Sequence, residues 1–241
     1  ELPWSLPDGH GFCMIAVMFA ESFLALTTVL TVREARIPAA QPVVIQSLPV
    51  ARYVPGPQPP TKKDPNSFGI ETTARAAIAI DVASGEVLYE KNAETAYPIA
   101  SLTKLMTAMT VLDQSSDMDE VITILREDEP KEGKSVFPQG ERFTRRELLE
   151  SLLIGSVNIA GDALARSGGG MKSFLSAMNA KAQILGMRQA HFDDPTGLDS
   201  NNQASAHDVA LALRAALHYP EIREITKISK IQLIGRATAK P

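Results

Sequence analysis

The chain has 241 residues, of which 44% are hydrophobic and 22% are charged, with a formal net charge of −4. This balance is typical of a globular protein and gives nucleic-acid binding no electrostatic basis, because phosphate recognition needs a basic surface. Cys13 is the only cysteine, so the chain forms no internal disulfide.

Two segments of unusual composition come first in the chain. Residues 12–32 are apolar over about the length of a membrane span, although Glu21 interrupts them. We therefore expect residues 1–37 to be a signal peptide or a membrane anchor, with a buried helix as the alternative. Residues 38–65 hold eight of the chain's 16 prolines, which predicts a semi-rigid linker over 38–70.

The remaining residues, 71–241, have the patterning of a mixed α/β domain. Alternation and the Ser84-Gly85 turn predict a hairpin with strands over 76–81 and 86–89. Apolar periodicity with caps predicts helices over 101–113, 144–154, 158–166, 171–185 and 206–218. Residues 228–234 alternate again and predict a further strand.

The first predicted helix opens with Ser101-Leu-Thr-Lys104. Three residues turn a helix by about 300° and advance it about 4.5 Å, so the two side chains lie on nearly the same face and can meet. A serine becomes a nucleophile when a neighbouring base accepts its proton, and a lysine does so once burial lowers its pKa. Ser101 and Lys104 are therefore a candidate nucleophile and base; the alternative is that Ser101 only caps the helix.

A second polar pattern, Ser156-Val-Asn158, follows the helix that starts at the capping box Thr144-Arg-Arg-Glu147. Gly155 ends that helix, so the hydroxyl and the carboxamide are predicted on a short connection where they can face a cleft. The same tripeptide pattern recurs at Ser200-Asn-Asn202, which we interpret as a loop tip.

These residues carry a resemblance over about residues 74 to 226. The motifs are Tyr97-Pro-Ile-Ala-Ser-Leu-Thr-Lys104, Ser156-Val-Asn158, Pro195-Thr-Gly-Leu198 and Ser205-Ala-His-Asp208. Together they resemble the low-molecular-mass penicillin-binding proteins, which are the serine D-Ala-D-Ala carboxypeptidases and DD-endopeptidases of bacterial cell walls. The resemblance is strongest to the endopeptidase branch. The resemblance implies the serine β-lactamase/DD-peptidase α/β sandwich, a helical block with an antiparallel sheet. It also implies a periplasmic location, peptidoglycan peptide stems as substrates, β-lactams as acylating inhibitors, and no metal or organic cofactor.

The resemblance also assigns roles. Ser101 would form the acyl-enzyme, Lys104 would take its proton, Ser156 would relay a proton to the leaving amine, and Asn158 would bind the substrate amide and help to orient Lys104. The family's Lys-Thr-Gly motif does not occur in these 241 residues, so we expect 71–241 to be the catalytic domain without its C-terminal segment.

Two alternatives remain open from the sequence. A class A β-lactamase is disfavoured, because no Glu-x-x-Leu-Asn follows Ser156 at a suitable distance. A non-catalytic module that binds penicillin or peptidoglycan is the other.

Overall fold

The computed structural model describes residues 72–129 and 136–233, together with 4–5, 13–17, 61–62 and 66. Most of the predicted signal or anchor region and most of the predicted linker therefore lie outside the described residues. Two described pairs from these regions form short antiparallel strands, β1 (Trp4–Ser5) with β3 (Thr61–Lys62). Among the described residues, no helix has the length and apolarity needed to cross a membrane.

A three-stranded antiparallel sheet lies beside the helices, in the order β2 (Cys13–Val17), β4 (Ala76–Ile80), β5 (Val87–Lys91). The predicted hairpin is confirmed, and its turn is closed by the backbone N–H of Ser84, which donates to Asp81 Oδ2 at 2.7 Å. All five residues of β4 are buried, because this central strand has a neighbour on each edge and a helix packed against it.

The described residues also form six α-helices. Their bounds are α1 Thr103–Gln114, α2 Arg145–Ile154, α3 Asn158–Ser167, α4 Met171–Ile184, α5 Ala206–Ala216 and α6 Pro220–Ile225. The five predicted helices are confirmed with small shifts at their ends, and the capping boxes that start α2 and α5 are present. Helix α5 packs against β4 and β2.

The strand predicted near the end of the chain is wrong, and a helix that the sequence did not predict lies before it. That helix, α6, begins at Pro220, whose missing N–H costs nothing at the first helical position. No strand forms over residues 228–233 of the described chain, although their apolar residues alternate.

Helix α1 is the centre of the helical block and contacts α2, α3, α4 and α5. Its buried Met106 and Met109 pack in one continuous core with the largest buried side chains of the neighbouring helices, which are Leu148, Leu149, Leu152, Ile159, Leu164, Phe174 and Met178. Such a close-packed surround holds α1 in a fixed orientation.

Two further strand pairs, absent from the predicted elements, join distant parts of the chain. Strand β7 (Val121–Thr123) pairs with β8 (Arg142–Thr144), and β6 (Tyr97–Pro98) pairs with β9 (Gln203–Ala204). The second pair fixes the segment that enters α1 beside the loop that precedes α5.

Candidate active site

Ser101 lies in a single 3-10 turn, Ala100–Leu102, that leads into α1. It is exposed, and the residue before it, Ala100, has a φ of +45°. The cap positions of the turn and of α1 are Ile99 and Leu102, and neither makes a side-chain capping bond. Ser101 is therefore not a helix cap, and its hydroxyl is available for other contacts.

Lys104 lies one turn further along and is buried, with 3% of its surface exposed. Its Nζ donates to Ser101 Oγ at 3.0 Å and to the backbone oxygen of Thr196 at 2.9 Å. The predicted meeting of the two side chains is confirmed.

The protonation of Lys104 is set by opposing effects. Burial lowers the pKa of its ammonium from 10.5 to about 8, while the nearby carboxylates of Asp194 and Asp162 act in the opposite direction. At pH 7, Lys104 is then a free amine in about a tenth of the molecules, which is enough for it to act as a base.

Ser156 reaches the same point from a segment 55 residues further along the chain, and its Oγ donates to Ser101 Oγ at 3.0 Å. It lies on the connection between α2 and α3, with an exposed side chain and a φ of +53°. A non-glycine residue rarely adopts this conformation, and residues that do so cluster at functional sites. The structure thus brings Ser101, Lys104 and Ser156 together around one hydroxyl.

Asn158 is the first residue of α3 and is half-buried. Within the part of the chain that the structure describes, its side chain makes no hydrogen bond to Lys104. The second contact that holds Lys104 is the Thr196 carbonyl instead, and the role of Asn158 stays a prediction.

Sequence reasoning missed the contribution of Thr196, because a backbone carbonyl has no residue signature. It also took Ser200-Asn-Asn202 as a loop tip, whereas Asn202 is fully buried and its Nδ2 donates to Thr103 Oγ1 at 3.2 Å. The loop had drawn attention only as part of the resemblance, through Pro195-Thr-Gly-Leu198. Its local signal is Asp194, two residues before Thr196, since an aspartate in this position often folds the following backbone around its own carboxylate.

Asp162, one of the two carboxylates that act on Lys104, has a perturbed pKa of its own. Burial, together with the charges of Asp194 and Asp128, raises the pKa of its carboxyl from 3.8 to about 7. Among the described residues no group of three or more His, Cys, Asp or Glu side chains is arranged to hold a metal ion.

The sequence matches the model of the peptidase family S11, D-alanyl-D-alanine carboxypeptidase, over residues 60–239. The chain belongs to this family. Two S11 relatives are the D-alanyl-D-alanine endopeptidases of Pseudomonas aeruginosa, 40% identical over 178 residues, and of Escherichia coli, 36% identical over 160 residues. These alignments cover 72% and 65% of this chain but 56% and 51% of the relatives, so the chain spans about half the length of the curated relatives it matches.

Solved structures of similar proteins confirm the predicted fold class. A D-alanyl-D-alanine carboxypeptidase from Mycobacterium tuberculosis is 33% identical with a TM-score of 0.61, covering 73% of this chain and 63% of that one. A variant of a Streptomyces DD-transpeptidase is 28% identical with the same TM-score of 0.61, covering 65% of each chain. The helical block and antiparallel sheet of this chain are thus the DD-peptidase architecture.

Proposed function

We propose that the protein is a serine DD-peptidase of peptidoglycan metabolism, which cleaves D-Ala-D-Ala or D-Ala-diaminopimelate bonds through an acyl-enzyme. The observation that carries the proposal is the placement of the Ser101 hydroxyl within 3.0 Å of both Lys104 Nζ and Ser156 Oγ. A hydroxyl flanked by a buried amine and a second hydroxyl has both a proton acceptor and a proton relay at hand.

In the acylation step, Ser101 Oγ bonds to the carbonyl carbon of the penultimate D-Ala and its proton passes to the free amine of Lys104. The carbon–nitrogen bond then breaks, and the proton passes from Lys104 through Ser156 to the leaving amine. Asn158, at the start of α3, hydrogen-bonds the substrate amide. Water attacks the resulting ester, releases the shortened peptide and restores Ser101.

A β-lactam follows the first half of the same path, because its strained amide presents a carbonyl to Ser101 in the same way. Its amine stays tethered to the acyl group after ring opening and blocks the site. Peptidoglycan peptide stems and β-lactams are therefore the two ligand classes, and the chemistry runs on protein side chains alone.

The proposal extends to the organisation and location of the protein. Residues 1–37 act as a signal peptide or a membrane anchor, 38–70 form a tether, and 71–241 belong to a periplasmic catalytic domain; within the first region, Cys13–Val17 also pairs with β4 as strand β2. The apolar run over 12–32 and the prolines of 38–65 support this division, and the bacterial cell-wall peptidases among the relatives support the location. A fusion of residues 1–70 to a reporter active only outside the cytoplasm tests it, and a silent reporter would contradict export.

The chemistry is tested by labelling the intact protein with a fluorescent penicillin and mapping the adduct by mass spectrometry. We expect one adduct, on Ser101, which Ser101→Ala abolishes and Ser173→Ala, at an exposed serine of α4, leaves unchanged. An adduct on another residue, or labelling that survives Ser101→Ala, would overturn the assignment. Release of D-Ala from a pentapeptide or cleavage of a cross-linked muropeptide then identifies the bond, and labelling without either would favour a non-catalytic binding module.

A further inference from the structure

The loop Asp193–Asn202, here called the strap, lies along one side of α1 and the turn before it. Its contacts have the spacing i, i+3, i+4 and i+7, which is one face of a helix, and fall on Ala100, Thr103, Lys104 and Thr107. Two of the contacts use backbone oxygens of the strap, because Lys104 donates to Thr196 and Thr107 Oγ1 donates to Pro195 at 2.5 Å. The shape of the strap backbone therefore decides where Lys104 Nζ lies.

One carboxylate holds that backbone in shape. Asp194 Oδ1 accepts hydrogen bonds from the backbone N–H of Thr196, from Thr196 Oγ1 at 2.7 Å and from the backbone N–H of Gly197 at 2.7 Å. Its Oδ2 accepts from the backbone N–H of Asp199 at 2.6 Å. Both oxygens are thus used inside the strap, and the bonds from Thr196 fix the residue whose carbonyl faces Lys104.

We propose that Asp194 is a positioning residue of this active site, which holds the Thr196 carbonyl against Lys104 Nζ and places a negative charge beside the base. It touches neither Ser101 nor a reacting atom and acts through Thr196. The inference rests on the proposed function, because acylation of Ser101 is its readout.

The charge of Asp194 should affect the pH dependence of acylation, which a change of loop shape alone would not shift. Asp194 from the strap and Asp162 from α3 are the carboxylates that favour protonated Lys104. The charge of Asp128, which pairs with Arg166, acts on Asp162. Removing the charge of Asp194 lowers the pKa of Lys104 further below about 8, so more free amine is present at neutral pH.

The central experiment compares Asp194→Asn with the intact wild-type protein. The rate of penicillin acylation is measured from pH 5 to 10, and thermal melting reports folding. We expect the acid limb of the profile to move to lower pH by roughly one unit. We also expect the plateau rate to fall about tenfold, because an asparagine amide has one oxygen that can accept hydrogen bonds, whereas Asp194 uses two.

The matched control is Asp193→Asn. Asp193 is the adjacent carboxylate, is exposed, and pairs with the exposed His191 at 2.8 Å outside the strap's own hydrogen bonds. It should change neither the limb nor the plateau. A third variant, Asp162→Asn, provides a background in which Asp162 cannot offset the change, and the limb should move further there.

Each outcome is decisive. An unshifted limb in Asp194→Asn, or an equal shift in Asp193→Asn, overturns the inference while leaving acylation of Ser101 by the wild type intact. Absence of wild-type acylation overturns the proposed function and the inference with it. If Asp194→Asn does not fold, Thr196→Val takes its place, because it removes one hydrogen bond to Asp194 and keeps the charge. A plateau rate of acylation about threefold lower, with the acid limb unmoved, supports the inference. An unchanged plateau rate overturns it.

Discussion

Replacing Gly197 with alanine should displace the strap from the nucleophile turn. Gly197 has a φ of +84°, and a Cβ added there would lie 1.9 Å from the Ala100 backbone oxygen and 2.3 Å from its carbonyl carbon. Both are backbone atoms of the turn that carries Ser101, so neither can rotate away. The strap would have to retreat by about 1 Å or more to restore ordinary contact distances.

The expected magnitude combines two costs. The left-handed conformation costs an alanine about 1–2 kcal/mol, and overpacking costs about 1–3 kcal/mol more, so the free energy of unfolding should fall by about 2–5 kcal/mol. A displacement of about 1 Å at the Thr196 carbonyl also misplaces Lys104, and misplacement on that scale costs about 100-fold in rate.

Gly186→Ala is the matched control. Gly186 has a φ of +78°, but an added Cβ there would meet nothing within 4 Å. It therefore carries the conformational cost alone, about 1–2 kcal/mol, with no effect on acylation. Urea unfolding and penicillin acylation of the two variants check this; equal losses of stability together with equal acylation rates would refute the argument from close approach.

Two further predictions concern Lys104 and Arg166. The rate of acylation should rise about tenfold per pH unit up to about pH 8 and then level off, because burial sets the pKa of Lys104 near 8. Lys104→Arg should abolish acylation, since a guanidinium keeps its proton. A flat rate profile from pH 5 to 8 would count against a lysine base. Arg166→Leu should lower the free energy of unfolding by about 3 kcal/mol, because it leaves Asp128, which is 1% exposed and accepts from Arg166 Nε at 2.7 Å, as an unpaired buried carboxylate. Lys227→Ala, which breaks an exposed pair with Glu224, is the control and should leave the urea unfolding curve almost unchanged. Equal effects of the two variants would show that the buried pair adds nothing.

The sequence predicted the helical block well, because the residues that cap or end a helix are neighbours in the chain of the helix itself. The capping box from Thr144 to Glu147 and the break at Gly155 gave the ends of α2. The same rules failed where a residue has two uses or where a partner is needed. Pro220 starts a helix as readily as it stops one, and alternation over 228–233 predicts a strand only if another strand pairs with it.

The sequence by itself determined that Ser101 and Lys104 meet, because their spacing on a helix leaves the two side chains one turn apart. Tertiary structure decided the rest of the site. Ser156 and Thr196 reach it from 55 and 92 residues away from their contacts, and a backbone carbonyl such as that of Thr196 leaves no trace in residue identity. The pKa of Lys104 is also a tertiary property, since burial among several packed elements lowers it while Asp194 and Asp162 oppose the change.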